Sequence, residues 1–315
     1  ACIRDVRVLP QRAPDADIAQ AINVRVTVTV DFLHYFKTGN GTLRLTIRDA
    51  DGKPVAPPIS KTVLLRSGLN FVDFALRLQS PRLWWPNGLG EQHRYVFKVE
   101  LIAQRERATR TVKAGLRFVE LIDRDLFAFV VNDQKVFCKG ANWIPADTIY
   151  ARAGADRYDR LVREAQQANF TMLRVWGGGL YEPEAFYDAC DRYGILVWHD
   201  FMFACAPYPD HLPWFVEEAR READYQTKRL RNHACMALWS GSNENNWGFD
   251  EWWHEKTRSG AYLYNYLLPA IVRANCPEIP YWNGSPYGGE TPNAPDVGDR
   301  HHCCLLYTSP SPRDS

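Results

Sequence analysis

Glu244 has the setting in which a carboxyl does chemistry. It ends the run Met236-Ala-Leu-Trp-Ser-Gly-Ser-Asn-Glu244, in which a buried-type strand gives way to polar residues, with Trp239 and Trp247 nearby. Hydrolysis of a glycosidic bond needs two carboxyl groups across the scissile bond. One of them must hold a proton near neutral pH, which apolar or like-charged surroundings favour by raising its pKa. Glu244 fits that acid/base role, and Asn243 can donate a hydrogen bond to the sugar hydroxyl next to the reacting carbon. Arg174 can hold a carboxylate in place. Trp143 or Trp176 can floor a pocket, because sugar rings present C–H faces to aromatic side chains. Asp200 is the other strand-end carboxylate; only one strand before Glu244, it suits positioning or hydroxyl binding better than nucleophilic attack. A single Glu after a strand is usually just solvated and a single Trp is usually core. The argument therefore rests on polar and aromatic residues recurring at successive strand ends: Asn142-Trp143, Arg174-Val-Trp-Gly177, His199-Asp200 and Ser242-Asn-Glu-Asn245.

Two kinds of element must position these residues. As far as about residue 112 the pattern has a period of two: Ile22, Val24, Val26, Val28, Val30 and Phe32 share one face, and Leu43, Leu45, Ile47, then Val72, Phe74, Leu76, Leu78, then Tyr95, Phe97, Val99, Leu101 repeat it. Short strands separated by turns predict an immunoglobulin-like β-sandwich over residues 1–112. Beyond about residue 118 short apolar runs alternate with helical patterns. Runs at Phe137–Gly140, Met172–Trp176, Ile195–Trp198, Met236–Trp239 and Ile279–Trp282 are interleaved with helices near 158–168, 183–194, 214–232 and 261–274. Five strand–helix units favour a closed barrel, whose strand ends converge on one face. An open dinucleotide-binding sheet fits less well, since Gly177-Gly-Gly179 has the wrong spacing.

The 315 residues carry 38 basic and 37 acidic side chains, a formal charge of +1, with no long run of one sign. That argues against nucleic acid or an anionic membrane as the main partner. No apolar stretch is long enough to span a bilayer. Eight cysteines form neither a Cys-x-x-Cys pair nor a regular framework, so most are expected reduced and buried. The chain opens Ala1-Cys-Ile3, so the start of the gene product is expected to lie outside it.

At several of these segments the sequence resembles the β-mannosidases of glycoside hydrolase family 2. The resemblance is carried by Leu83-Trp-Trp-Pro-Asn-Gly88, Phe137-Cys-Lys-Gly-Ala-Asn-Trp-Ile-Pro-Ala-Asp147, Leu173-Arg-Val-Trp-Gly-Gly-Gly-Leu-Tyr-Glu182, Val197-Trp-His-Asp-Phe-Met-Phe-Ala-Cys205 and Ala237-Leu-Trp-Ser-Gly-Ser-Asn-Glu244. It implies a retaining exo-enzyme that removes terminal β-D-mannose from oligosaccharides or glycan ends without a cofactor or metal. Glu244 would be the acid/base, with Asn243, Trp143, Arg174, Trp176, Asp200, Trp252 and His301 binding the sugar. His199 stands where the resemblance leads one to expect glutamine. The implied architecture is an immunoglobulin-like sandwich followed by a truncated (β/α)8 TIM barrel over residues 113–302. About six of eight strands would be present, Gly298–His302 being the sixth, and the nucleophilic Glu of the seventh strand would lie outside the chain. A related β-galactosidase, β-glucuronidase or exo-β-glucosaminidase, or a non-catalytic carbohydrate-binding protein, are the alternatives. His301-His-Cys-Cys304 invites a metal-site reading, and so do His199 and Asp200, but no metal-ligand spacing supports either. Residues 303–315 read instead as a non-native tail of Ser and Pro without packing logic, derived from a library adapter.

Overall fold

A computed structural model describes residues 1–33, 38–103, 106–123, 127–253 and 257–302. The expectation for the 303–315 tail, including Cys303 and Cys304, lies outside these residues. Strands β1 (Cys2–Arg12), β2 (Ala21–Phe32), β3 (Thr38–Arg48), β4 (Ile59–Arg66), β5 (Gly68–Gln79), β6 (Tyr95–Ala103) and β7 (Glu106–Ala114) form two antiparallel sheets, ordered β1-β2-β5 and β4-β3-β6-β7. The alternation predicted for β2 is what brings the sheets together. Val24, Val26, Val28 and Val30 point inward and share one core with Leu43, Leu45, Phe97 and Val99 of the facing sheet. Fully burying each such side chain stabilises by roughly 1.5–3 kcal/mol before entropy is counted. The last strand runs to Ala114, two residues past the expected boundary.

A small antiparallel meander follows, built from β8 (Val119–Ile122), β9 (Ala128–Val131) and β10 (Gln134–Val136). After it come β11 (Gly140–Trp143), α1 (Ala155–Gln167), β12 (Met172–Val175), α2 (Glu184–Tyr193), β13 (Leu196–Asp200), α3 (Pro213–Leu230), β14 (Met236–Ser240), the single turn α4 (Asn245–Trp247), α5 (Leu268–Asn275) and β15 (Tyr281–Trp282). The strands lie in one parallel sheet in chain order, β11-β12-β13-β14-β15. β13 and β14 are buried throughout, as continuous apolar runs in a parallel sheet should be. Helix α2 starts after Pro183 and ends at Gly194, whose φ of 74° is the left-handed cap that glycine adopts without strain. The helix expected over 261–274 opens as a π-helical turn, Leu263–Leu267, ahead of α5. Pro269 at the start of α5 has no N–H to give, so the regular ladder breaks there.

Two expectations need correcting. The first parallel strand begins at Gly140, and Phe137 is 82% exposed. At that start a Cβ on residue 140 would lie 1.7 Å from the Met172 carbonyl oxygen, so β12 can approach only a glycine there. Gly298–His302 is not a sixth parallel strand. It folds back in an antiparallel bridge between Asp299 and Tyr287, and the His301 backbone exchanges hydrogen bonds with the Asn293 side chain. The described residues therefore hold five parallel strands.

The two regions are tied by side chains that belong to one in sequence and to the other in packing. Trp84 lies in the second core, and its indole N–H donates to the Asp191 carbonyl (2.8 Å). The buried Arg117 guanidinium donates to the carbonyls of Ala234 (2.8 Å) and Met236. Asn232, just after α3, pairs with the backbone of β1 at Val6 and Val8. Asn87 caps two helix ends: its amide donates to Gln166 and Phe170 carbonyls, and its backbone N–H to that of Gly194.

Candidate active site

The ladder of the parallel sheet continues past the formal strand ends, and this builds the site. Asn243 bridges Ala204 on one side and Ser285 on the other. The backbone N–H of Asn243 donates to Phe203, that of Cys205 to Asn243, that of Ser285 to Ser242 and that of Glu244 to Ser285, all at 2.8–3.1 Å. Glu244 itself sits at φ 61°, ψ 6°. A side chain in the left-handed region costs about 1–3 kcal/mol, and such outliers concentrate at functional sites. Here the turn converts the end of β14 into the start of α4 and places the Glu244 carboxyl on a cavity of about 550 Å³. Asn142, Arg174, Trp176, Trp198, Cys205 and Asn243 line the same cavity, as do Ser285, Asp299 and His301. A larger cleft of about 1190 Å³ lies between the sandwich and helices α2 and α3 and contains none of these residues.

Arg174 organises the floor. Its guanidinium donates to Asp200 Oδ2 (2.6 Å), Asn243 Oδ1 (2.8 Å) and Asn142 Oδ1 (3.1 Å). Asp200 is fully buried and also accepts from the Trp198 indole and the Gly177 backbone N–H, both at 3.1 Å. A carboxylate so surrounded by donors fixes Arg174, and through it the Asn243 carbonyl, which leaves the Asn243 amide to face outward and meet Cys205 Sγ at 3.3 Å.

Glu244 Oε1 lies 2.8 Å from His301 Nδ1, and Oε2 accepts from the Cys205 thiol at 3.3 Å. The hydrogen bond to His301 holds the Glu244 carboxyl below the usual range, against the opposing pull of partial burial. This corrects the expectation of apolar or like-charged surroundings that raise its pKa: Glu244 meets an imidazole, a thiol and, further off, Arg174. Asp299 is pushed the other way, upward, by burial.

The residues singled out in the sequence do not all meet. Glu244, Asn243, Arg174, Trp176 and His301 share the cavity, with Asp200 immediately beneath Arg174. Trp143 does not line it; its indole donates to Glu182 Oε1 (2.8 Å) and its ring packs on Phe186. Trp252 does not line it either; its ring packs at a tilt against Trp247, and it is 40% exposed. His199 is fully buried, with Nδ1 on the Asp200 carbonyl and Nε2 on the Tyr187 hydroxyl, so neither it nor its ring nitrogens reach the cavity. Burial depresses its pKa to about 3. Cys205 is exposed, contrary to the general expectation for the cysteines, while Cys190, Cys235 and Cys276 are buried. Trp198, Ser285 and Asp299 were not anticipated. Trp198 was hidden by standing inside an apolar run, and the other two sit in segments without a periodic signal.

Asp191, His233 and Cys235 bring three metal-ligand atoms together away from this cavity. His233 is however held between two carboxylates, Asp191 (2.9 Å) and Glu184 (3.0 Å). Burial alone would lower its pKa, but these charges outweigh it and raise it to about 10. An imidazolium between two acids is an ion-pair bridge, and its nitrogens have no lone pair for a metal.

An Asn–Glu pair thus faces a polar cavity at the C-terminal ends of parallel strands, the end at which barrel enzymes of this β/α type carry their active sites. A family model described as Glycosyl hydrolases family 2 matches residues 2–117. The chain is 38% identical over 263 residues to Beta-mannosidase B of Emericella nidulans, covering 77% of this chain and 31% of that protein. It is also 38% identical over 273 residues to Beta-mannosidase B of Thermothelomyces thermophilus, covering 80% and 32%. The crystal structure of Beta-D-Mannosidase from Dictyoglomus thermophilum superposes with a TM-score of 0.90 at 35% identity, over 98% of this chain and 38% of that one. The chain is thus similar to glycosyl hydrolases of family 2 and, among them, to β-mannosidases, and it spans about a third of the length of the curated relatives it matches.

Proposed function

We propose that this chain is part of a retaining exo-β-mannosidase acting on terminal β-D-mannose by double displacement, with Glu244 as acid/base. The observation that carries this is the placement of Glu244 beside Asn243 on a cavity whose floor is fixed by the Arg174–Asp200 pair. In this reading residues 1–112 form an immunoglobulin-like sandwich, and residues 113–302 supply part of a (β/α)8 barrel whose strand ends carry the chemistry. Trp176 and Trp198 offer the sugar its aromatic wall, Asn243 and Arg174 its hydroxyl contacts.

Double displacement needs a nucleophilic carboxylate about 5–5.5 Å from the acid. Among the cavity's lining residues the carboxyls are Glu244 and Asp299, and Asp299 already accepts from Trp282, Tyr287 and Ser285. Asp200 is likewise enclosed. Among the described residues no cavity carboxyl is left for that role, and this reading places the nucleophile in a part of the enzyme outside this chain. A β-mannoside with a chromogenic leaving group tests both halves of the proposal. This chain alone is expected to give no turnover. The same region within a full-length enzyme is expected to be active on the β-mannoside ahead of the β-galactoside and β-glucuronide, and Glu244→Gln to lower its activity by about 10²–10⁴-fold. Turnover by this chain that vanishes in Glu244→Gln would overturn the assignment of the nucleophile; full activity of Glu244→Gln would overturn that of the acid.

A further inference from the structure

His301 was expected to touch sugar, yet both of its ring nitrogens are engaged by protein. Nδ1 lies 2.8 Å from Glu244 Oε1 and Nε2 lies 2.8 Å from Ser285 Oγ, while Ser285 Oγ donates to Asp299 Oδ2 at 2.6 Å. Asp299 Oδ1 accepts from the Trp282 indole (2.8 Å) and the Tyr287 backbone N–H (2.9 Å). The result is a continuous line, Asp299–Ser285–His301–Glu244, anchored at one end by two groups that can only donate.

The donors and acceptors along that line fix each other. Burial pushes the Asp299 carboxyl upward, but two groups that can only donate, the Trp282 indole and the Tyr287 N–H, favour its ionised form. An ionised Asp299 only accepts, so Ser285 gives it its single O–H. Ser285 Oγ must then accept from His301, which puts a proton on Nε2. A neutral imidazole has one N–H, so its Nδ1 is bare toward Glu244 and the two atoms need one proton between them. We infer that His301 is a positioning residue which shares that proton with Glu244, its tautomer set by Ser285 and Asp299, and that it is not a sugar contact. This rests on the reading of Glu244 as the acid/base and deepens it.

The arrangement answers a difficulty raised by the geometry of the site. A carboxyl held low by an imidazole would be empty at neutral pH if it titrated alone. Here the missing proton resides on His301 Nδ1, and its return gives neutral imidazole and a carboxylic acid with no other reactant. Among the described residues, the other charged or titratable groups facing the pair are Cys205 from the segment after β13, Arg174 of β12, and Asp299, Arg300 and His302 from the fold-back segment. The His301 backbone is itself pinned to Asn293, so the ring is presented by a fixed loop.

Nitrogen-15 NMR of the histidine rings in this chain tests the inference without any reference to activity. Assigned by comparison with His301→Gln, the His301 Nε2 is expected to carry a proton across the neutral range. Asp299→Asn should reverse the line: its carbonyl must face the Trp282 and Tyr287 donors, its amide then donates to Ser285, and Ser285 donates to His301. Nε2 is expected to lose its proton in that variant, with the corresponding large change in its resonance, while Nδ1 keeps the proton it holds toward Glu244. A bare Nε2 in the unaltered chain overturns the inference, and so does an Nε2 that stays protonated in Asp299→Asn. The unaltered chain decides by itself if that variant fails to fold. Failure here would leave the glycosidase reading standing, because that is judged by β-mannoside turnover in the longer enzyme.

Discussion

The sandwich and the parallel region solve the same burial problem in different ways. In the sandwich each sheet covers the other, so one face of every strand is enough, and Val24 to Val30 alternate with polar residues. In the parallel region β13 and β14 are buried on both faces, and chemistry appears where the ladder runs out. The sheet there also has a less protected side. β11 is largely exposed, with Phe137, Ile144, Ile149 and Tyr150 open to solvent around it. Closure gives the first region its stability, and the second keeps its polar groups at a rim. A region that keeps polar groups at an open rim has to import rigidity, and the side chains joining the regions provide it.

The comparison can be tested by weakening the regions separately. Phe97→Ala removes a fully buried ring from the sandwich core and is expected to cost about 3–5 kcal/mol. All but two of the 11 tryptophans, Trp84 and Trp85, lie beyond residue 117, so their fluorescence reports the parallel region. If that fluorescence is lost at the same denaturant concentration as the β-sheet circular dichroism, the two regions unfold as one unit. Separate midpoints would break the picture of imported rigidity. Arg117→Ala has a comparable expected cost, about 1–3 kcal/mol for each of the two buried carbonyls left without its donor. It should turn a single unfolding transition into two, and an unchanged single transition would mean Trp84, Asn87 and Asn232 suffice.

A third test uses pH and touches the parallel region alone. The folded pKa of His233 is raised to about 10, above the unfolded value of about 6.5. Its contribution is then complete below about pH 6.5 and is lost as pH rises towards 10. The urea midpoint is expected to fall over that window in the unaltered chain and to fall less in His233→Gln; equal slopes would refute the bridge. The smallest effect is chemical. Iodoacetamide is expected to label Cys205 in the native state, while Cys190, Cys235 and Cys276 react only on unfolding. Native labelling of the buried three would show the second core opening by itself.

Much of this was legible in the sequence, for reasons that differ by region. Alternation is a direct record of a two-faced strand, so the four runs from Ile22 to Leu101 could be read residue by residue. Apolar runs with polar ends gave Asn142, Arg174, Asp200 and Glu244 as strand-end groups, and the structure places them together around one guanidinium or one cavity. What a strand end does not reveal is the side a residue faces. Trp143 turns into the core and Trp198 contributes to the cavity, although the first looked like the pocket residue. His301 was legible as a site residue but not in its contacts, because the fold-back of residues 293–301 is set by side-chain hydrogen bonds and leaves no period behind. Arg117 was invisible for a related reason: an arginine after a strand reads as solvated until the carbonyls it finishes are known.

The loop around Asn87 has a consequence for how such a protein could be rearranged. Residues 83–88 belong by sequence to the first region, yet they hold the ends of α1 and α2 in the second. A recombination point placed near residue 117, where the strand pattern changes, would separate these helices from the loop that terminates them. Chimeras that exchange the sandwich for one from a distant homologue should therefore inherit frayed helices unless Trp84, Asn87 and Arg117 travel with the part they serve. The natural unit of inheritance is set by these contacts rather than by the change in secondary structure.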